Sequence, residues 1–140
     1  MLNICSTSNQ VICGENMPGK ILCVEDNPQN MRLVRKMLGS VGYNILEASD
    51  GLSGLRIAAE EMPDLILMDI NLPDIDGMEA TQRIKADTLL AHIPVIALTA
   101  NAMPGDRERF LQAGCDGYLS KPITKSELIA LVGHFVPLTQ

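Results

Sequence analysis

The stretch LILMDINLPDIDGME, residues 65–79, decides how the rest of the chain is read. Four apolar residues, Leu65 to Met68, run straight into a carboxylate, Asp69, and a loop of Pro, Asp and Gly follows. A short run that is apolar at every position, rather than at every second one, is the pattern of a parallel strand covered on both faces. Burying an unpaired carboxylate is costly. Asp69 is therefore either the wet end of the strand or a charge placed there for chemistry. Asp64 begins the same strand, roughly 17 Å away, and reads as a solvent-facing charge on the opposite edge.

Working outward, four more strand-like runs appear: KILCVED (20–26), YNILEAS (43–49), IPVIALT (93–99) and CDGYLS (115–120), with DLILMD (64–69) third in order. Helix-length segments lie between them. Asn27-Pro28 supplies a cap followed by proline at the first helical position. Leu33, Val34, Met37, Leu38 and Val41 then make one apolar stripe, and Gly42 a stop. Segments 51–61 and 77–87 have weaker stripes. Segment 103–112 has the weakest, carried by Met103, Phe110 and Leu111. Leu128, Leu131, Val132 and Phe135 form the stripe of a last helix. Strand–helix alternation of this kind predicts an open α/β sheet with right-handed crossovers, and ligands in such sheets bind beyond the carboxyl ends of the strands.

Composition narrows the function. The chain has 140 residues and is 46% hydrophobic, enough for one core, but only 3% aromatic. Its net charge of −6 argues against a grip on nucleic acid and against anionic membrane surfaces. No apolar run approaches the ~20 residues of a membrane span, and the first residues lack the pattern of a secretory signal. Residues 1–18 read as a flexible leader and 19–140 as one domain. Cys23 and Cys115 sit in apolar runs as small core residues. Cys5 and Cys13 fall in the leader, where a disulfide between them is one reading and, with no export signal, a reduced cytoplasmic pair the favoured one. His92 reads as an exposed loop residue, and no Cys or His spacing suits zinc.

The carboxyl ends of the strands hold the chemistry. Glu25 and Asp26 end the first, Asp69 the third, Thr99 the fourth, and Ser120-Lys121-Pro122 the fifth. Three carboxylates on one edge repel one another unless a cation sits among them. An all-oxygen site without His or Cys suits a hard ion, Mg2+ before Ca2+. Lys121 as a point charge and Thr99 as a hydroxyl match phosphoryl oxygens, and a carboxylate beside a metal and a lysine makes an aspartyl-phosphate site. Asp74 and Asp76 read as solvated loop charges, and Gly77 as a glycine at a turn or helix start.

Glu25-Asp26, MDINLPDIDGME around Asp69, ALTANAM around Thr99 and GYLSKPI around Lys121, in that order, resemble the receiver domain of two-component response regulators. The resemblance covers residues 19 to about 136, and its wording is closest to stand-alone receivers and those of hybrid histidine kinases. It implies a flavodoxin-like, doubly wound five-stranded parallel sheet of order 2-1-3-4-5 with five helices. It implies Asp69 as phosphoacceptor, with Mg2+ (Mn2+ as the alternative ion) held by Asp26, Asp69 and the Asn71 carbonyl and by Glu25 through water. Thr99 and Tyr118 would form a switch pair, and Lys121, before a cis proline, would contact the phosphoryl group. The implied function is a phosphorylation-dependent switch rather than a turnover enzyme. Its donors would be a histidine kinase or a histidine phosphotransfer protein, and self-association a further outcome. Nucleic acid and membrane are excluded as partners. A phosphatase of the haloacid-dehalogenase type also uses a strand-end Asp with Mg2+, but it carries a second Asp two residues on, where this chain has Asn71, and places its nucleophile on the first strand. A phosphate-independent docking module of the same fold would lack the acceptor, the lysine or the acidic pair.

Overall fold

The computed structural model describes residues 19–100 and 103–137. The leader with Cys5 and Cys13, and Asn101 and Ala102 of the ALTANAM motif, lie outside them. The elements alternate throughout: β1 (Lys20–Val24), α1 (Pro28–Gly39), β2 (Asn44–Ala48), α2 (Gly51–Glu61), β3 (Leu65–Asp69), α3 (Gly77–Ala86), β4 (Val95–Thr99), α4 (Asp106–Ala113), β5 (Gly117–Ser120) and α5 (Lys125–Phe135). The five strands form one parallel sheet in the order β2-β1-β3-β4-β5, so the chain reverses direction across the sheet between β1 and β3. This is the flavodoxin-like order expected from the resemblance.

Side-chain parity divides the strands between two faces. Ile21, Cys23, Leu65, Leu67, Ile96 and Leu98 pack with Met31, Val34 and Leu38 of α1 and Leu128 and Val132 of α5. Leu22, Val24, Ile66, Met68 and Val95 pack with Ala58 of α2 and Ala80 and Ile84 of α3 on the other face. Ala97 meets Phe110 of α4 there, beside Cys115. Every side chain of β3 and β4 is buried, which is why those strands read as unbroken apolar runs. The edge strands β2 and β5 are half-exposed.

Two helices differ from their expected form. Helix α1 is capped by Asn27, whose side chain accepts from the Gln29 and Asn30 N–H groups, and it ends at Gly39 rather than at Val41. The turn into β2 uses Gly42 at φ 109°. Its buried face is Met31, Val34 and Leu38, whereas Leu33 and Val41 are exposed. Helix α4 starts at Asp106, not at residue 103. The Asp106 carboxylate accepts from the Met103 N–H at 2.8 Å, and the Asp106 N–H donates to the Met103 carbonyl at 3.0 Å, which closes a turn ahead of the helix. Of its expected stripe only Phe110 is buried, and Met103 and Leu111 stand in solvent.

Candidate functional site

The carboxyl edge of the sheet brings the acidic pair, Asp69 and Lys121 together because three strands carry them at matching heights and parity. Glu25 follows Ile21 and Cys23 at alternate positions, Asp69 follows Leu65 and Leu67, and Lys121 lies two beyond Leu119. All three therefore lean toward the face covered by α1 and α5. Glu25 stays in the ladder through its N–H to the Ala48 carbonyl, and the Lys121 N–H donates to the Thr99 carbonyl at 2.7 Å. The Lys121–Pro122 peptide is cis.

Asp69 is 3% exposed and Glu25 2%. The Lys121 ammonium lies 2.9 Å from Glu25 Oε1 and 3.4 Å from Asp69 Oδ2, so the nearer ion pair is with the acidic pair and not with the strand-end aspartate. That 2.9 Å contact answers the buried Glu25 Oε1 with a positive charge. Its other oxygen accepts from the Asn27 N–H at 3.2 Å. Asp69 Oδ1 accepts from the Asn71 N–H at 3.1 Å. Burial, then the Glu25 carboxyl beside it, pushes the Asp69 pKa up to about 6, against the opposing pull of the Asn71 N–H and Lys121. Burial works against the Lys121 ammonium, but Glu25 and Asp69 outweigh it and hold that pKa above the ordinary value.

Oxygens of Glu25, Asp26 and Asp69 all lie within 4.8 Å of one another, with Asp26 on the solvent side. Two carboxylates held out of water and a third open to it make an all-oxygen donor set that fits a hard divalent ion. The loop between β3 and α3 follows Asp69 directly. Gly77 begins α3 there, and its N–H donates to the Ile70 carbonyl at 2.9 Å. A Cβ on Gly77 would overlap the Asp69 carbonyl oxygen and lie 2.9 Å from Ile70 Cα, so only glycine permits this approach.

Thr99 is 4% exposed at the end of β4. Its parity is that of Val95 and Ala97, so it belongs to the face of α4, and it lines a cavity of about 250 Å³ with Ile70, Asn71, Asp106 and Phe110. Tyr118, paired with Ala97, stands on the same side with its ring 5.6 Å from that of Phe110. It is 37% exposed. Asp74 and Asp76 are not free loop charges. Asp76 caps α3 through the Glu79 N–H, and Asp74 accepts from the Gly51 and Leu52 N–H groups. The first could have been read from the Asp-Gly-Met-Glu capping pattern. The second has no local signal. His92 is exposed, as expected.

The match to known proteins runs along the same residues. Residues 21–133 fit the family model described as response regulator receiver domain. The chain belongs to the response regulator receiver family. The polar-differentiation response regulator DivK of Brucella anthropi is 47% identical over 120 residues, covering 86% of this chain and 98% of that protein. That of Brucella suis is 46% identical over the same length. Among solved structures, the receiver domain of a Pseudomonas aeruginosa sensor histidine kinase is 44% identical with a TM-score of 0.78, covering 84% of this chain and 97% of that one, and has a magnesium ion coordinated in its active-site cleft. The Vibrio cholerae chemotaxis protein CheY4 is 25% identical with a TM-score of 0.80, covering 85% and 99%. Asp69 of this receiver domain ends β3, not the first strand, which sets it apart from the dehalogenase-type phosphatase arrangement. Among the described residues no helix is long and apolar enough to cross a membrane.

Proposed function

We propose that this receiver domain is a phosphorylation-dependent switch in which the Asp69 carboxylate takes a phosphoryl group from a phosphohistidine. The observation that carries this reading is a carboxylate 3% exposed, between an ammonium at 3.4 Å and two further carboxylates. Asp69 attacks phosphorus, the P–N bond breaks, and the imidazole keeps the electron pair. Mg2+ held by Asp26, Asp69 and the Asn71 carbonyl, with Glu25 acting through water, would offset the crowding of carboxylates and the charge on the phosphoryl oxygens. Mn2+, a hard ion of equal charge, would substitute. Lys121 would move its contact from Asp69 to a phosphoryl oxygen while keeping its pair with Glu25. The donor is a histidine kinase or a histidine phosphotransfer protein, and the product is a signal rather than a released molecule. Cys23 and Cys115, buried and unpaired, fit a cytoplasmic setting.

Thr99 and Tyr118 would carry the signal outward. Both stand on the α4 side, and α4 is short, has no side-chain cap and buries only Asp106, Phe110 and Ala113. A helix held by so little is readily shifted. Activation would change the face of α4, β5 and α5 and alter binding to a protein partner or a second copy of the chain, with no gain of nucleic-acid binding. Mass spectrometry after acetyl phosphate and Mg2+ tests the chemistry. Wild type gains one phosphoryl group, and Asp69→Asn gains none. Labelling of Asp69→Asn at the wild-type rate, or full labelling in excess EDTA, would sink the proposal.

A further inference from the structure

We infer that Asp74 is a positioning residue for the site: it fastens the β3–α3 loop to the start of α2 and so sets where the Asn71 backbone lies against Asp69. This rests on the phosphoacceptor reading above and extends it to a residue outside the reacting groups. A helix begins with N–H groups that have no partner inside it. In α2 the local cap, Asp50, takes only the Ser53 N–H, at 2.7 Å. The Gly51 and Leu52 N–H groups donate instead to Oδ1 and Oδ2 of Asp74, each at 2.8 Å, from a loop 23 and 22 residues further along the chain.

A carboxylate gripped at both oxygens is fixed in direction as well as in place. These N–H groups, Leu52 foremost, hold the Asp74 carboxyl below the usual carboxylate range, so it is charged against the positive end of the helix. The next residue completes the joint. A Cβ on Gly51 would come 2.5 Å from Ile75 Cγ1, so helix and loop meet without room for a side chain.

At its ends the loop is held by the Ile70 N–H on the Leu98 carbonyl of β4, the Asn71 N–H on Asp69 Oδ1 and the Gly77 N–H on the Ile70 carbonyl. Asp74 ties its middle to α2. Helix α2 in turn is seated on β1, where Ala58 shares a core with Val24, the residue before Glu25. The Asp74 joint therefore relates the two halves of the acidic site, Asp69 and Asn71 on one side and Glu25 and Asp26 on the other. Groups that orient metal ligands from outside the ligand set typically affect affinity by about 10–100-fold.

The test compares Asp74→Ala and Asp74→Asn with Asp50→Ala, which removes a cap from the same helix without touching the loop. Mg2+ binding is measured by titration calorimetry, and amide exchange is followed at residues 70–77. Asp74→Ala should raise the Mg2+ Kd about tenfold and speed exchange at Asn71 and Gly77. Asp74→Asn, keeping one acceptor oxygen, should fall between it and wild type, and it carries the comparison should the alanine variant not fold. Asp50→Ala should lower the unfolding midpoint and leave both readouts alone. Wild-type Kd and exchange in Asp74→Ala, or an equal change in Asp50→Ala, would overturn the assignment. Neither readout depends on phosphoryl transfer, so a wild type that cannot be labelled would sink the reading above while these measurements still decide the role of Asp74.

Discussion

Replacing Asp69 by Asn should stabilise the metal-free protein, and the gain should grow with pH. A carboxyl whose pKa is higher folded than unfolded binds its proton more tightly in the fold, so it favours folding at low pH and opposes it as pH rises. The Asp69 pKa is pushed from 3.8 to about 6, chiefly by burial and by Glu25. That shift of roughly two units corresponds to about 3 kcal/mol of opposition once the group is fully ionised. Most of it develops between the two values: about 1 kcal/mol is already present at pH 4.5 and about 3 at pH 7.5. Asn has nearly the same shape and no charge to lose. The stability difference between Asp69→Asn and wild type should therefore increase by about 2 kcal/mol from pH 4.5 to pH 7.5, in favour of the variant. Using the change in that difference removes the pH-independent cost of the substitution. Urea unfolding in EDTA at several pH values measures it. A difference that stays flat, or moves toward wild type as pH rises, would show that Asp69 is not strained by its neighbours and would refute the electrostatic account of the site.

Gly77→Ala should cost about 3 kcal/mol or more, because the new methyl meets the backbone of Asp69 and Ile70, which cannot turn aside; a urea midpoint within error of wild type would show that the loop has slack. Gly39→Ala, with nothing within 4 Å, is the control and should be neutral or stabilising by roughly 0.5–1 kcal/mol. Lys121→Ala leaves the buried Glu25 and Asp69 without their ammonium and should destabilise the metal-free fold by on the order of 3 kcal/mol. Saturating Mg2+ should narrow that gap, and an unchanged gap would mean that ion and ammonium do not answer the same charge. Hydrogen exchange with and without beryllofluoride should change protection at residues 103–125, and changes confined to residues 69–77 would rule out the α4 face as the output surface.

The sequence determined whatever is written in local periodicity. The central strands β1, β3 and β4 were legible because parallel strands buried on both faces are apolar at nearly every position, whereas the half-exposed edge strands β2 and β5 were placed by the alternation around them. Asp69 stood out because a buried run ends there on a charge. Asn27-Pro28 marked the start of α1 for the same local reason. The motifs implied the strand order, which the sheet has, and a candidate site at its carboxyl edge. The exposure of Leu33 and Val41 was not legible, since a helical stripe says which residues share a side and not how wide the cover is. The start of α4 depended on a turn closed by Asp106 upon Met103. Distances between strands made the remaining decisions. Only in the fold does Lys121 sit nearer Glu25, at 2.9 Å, than Asp69, at 3.4 Å, and only there does Glu25 become close enough to raise the Asp69 pKa. Asp74 looked like a loop charge because its partners, the Gly51 and Leu52 N–H groups, lie 23 and 22 residues away. A hydrogen bond is lost beyond about 3.5 Å, so a pairing across that separation in sequence is settled by where the sheet sets the two segments down.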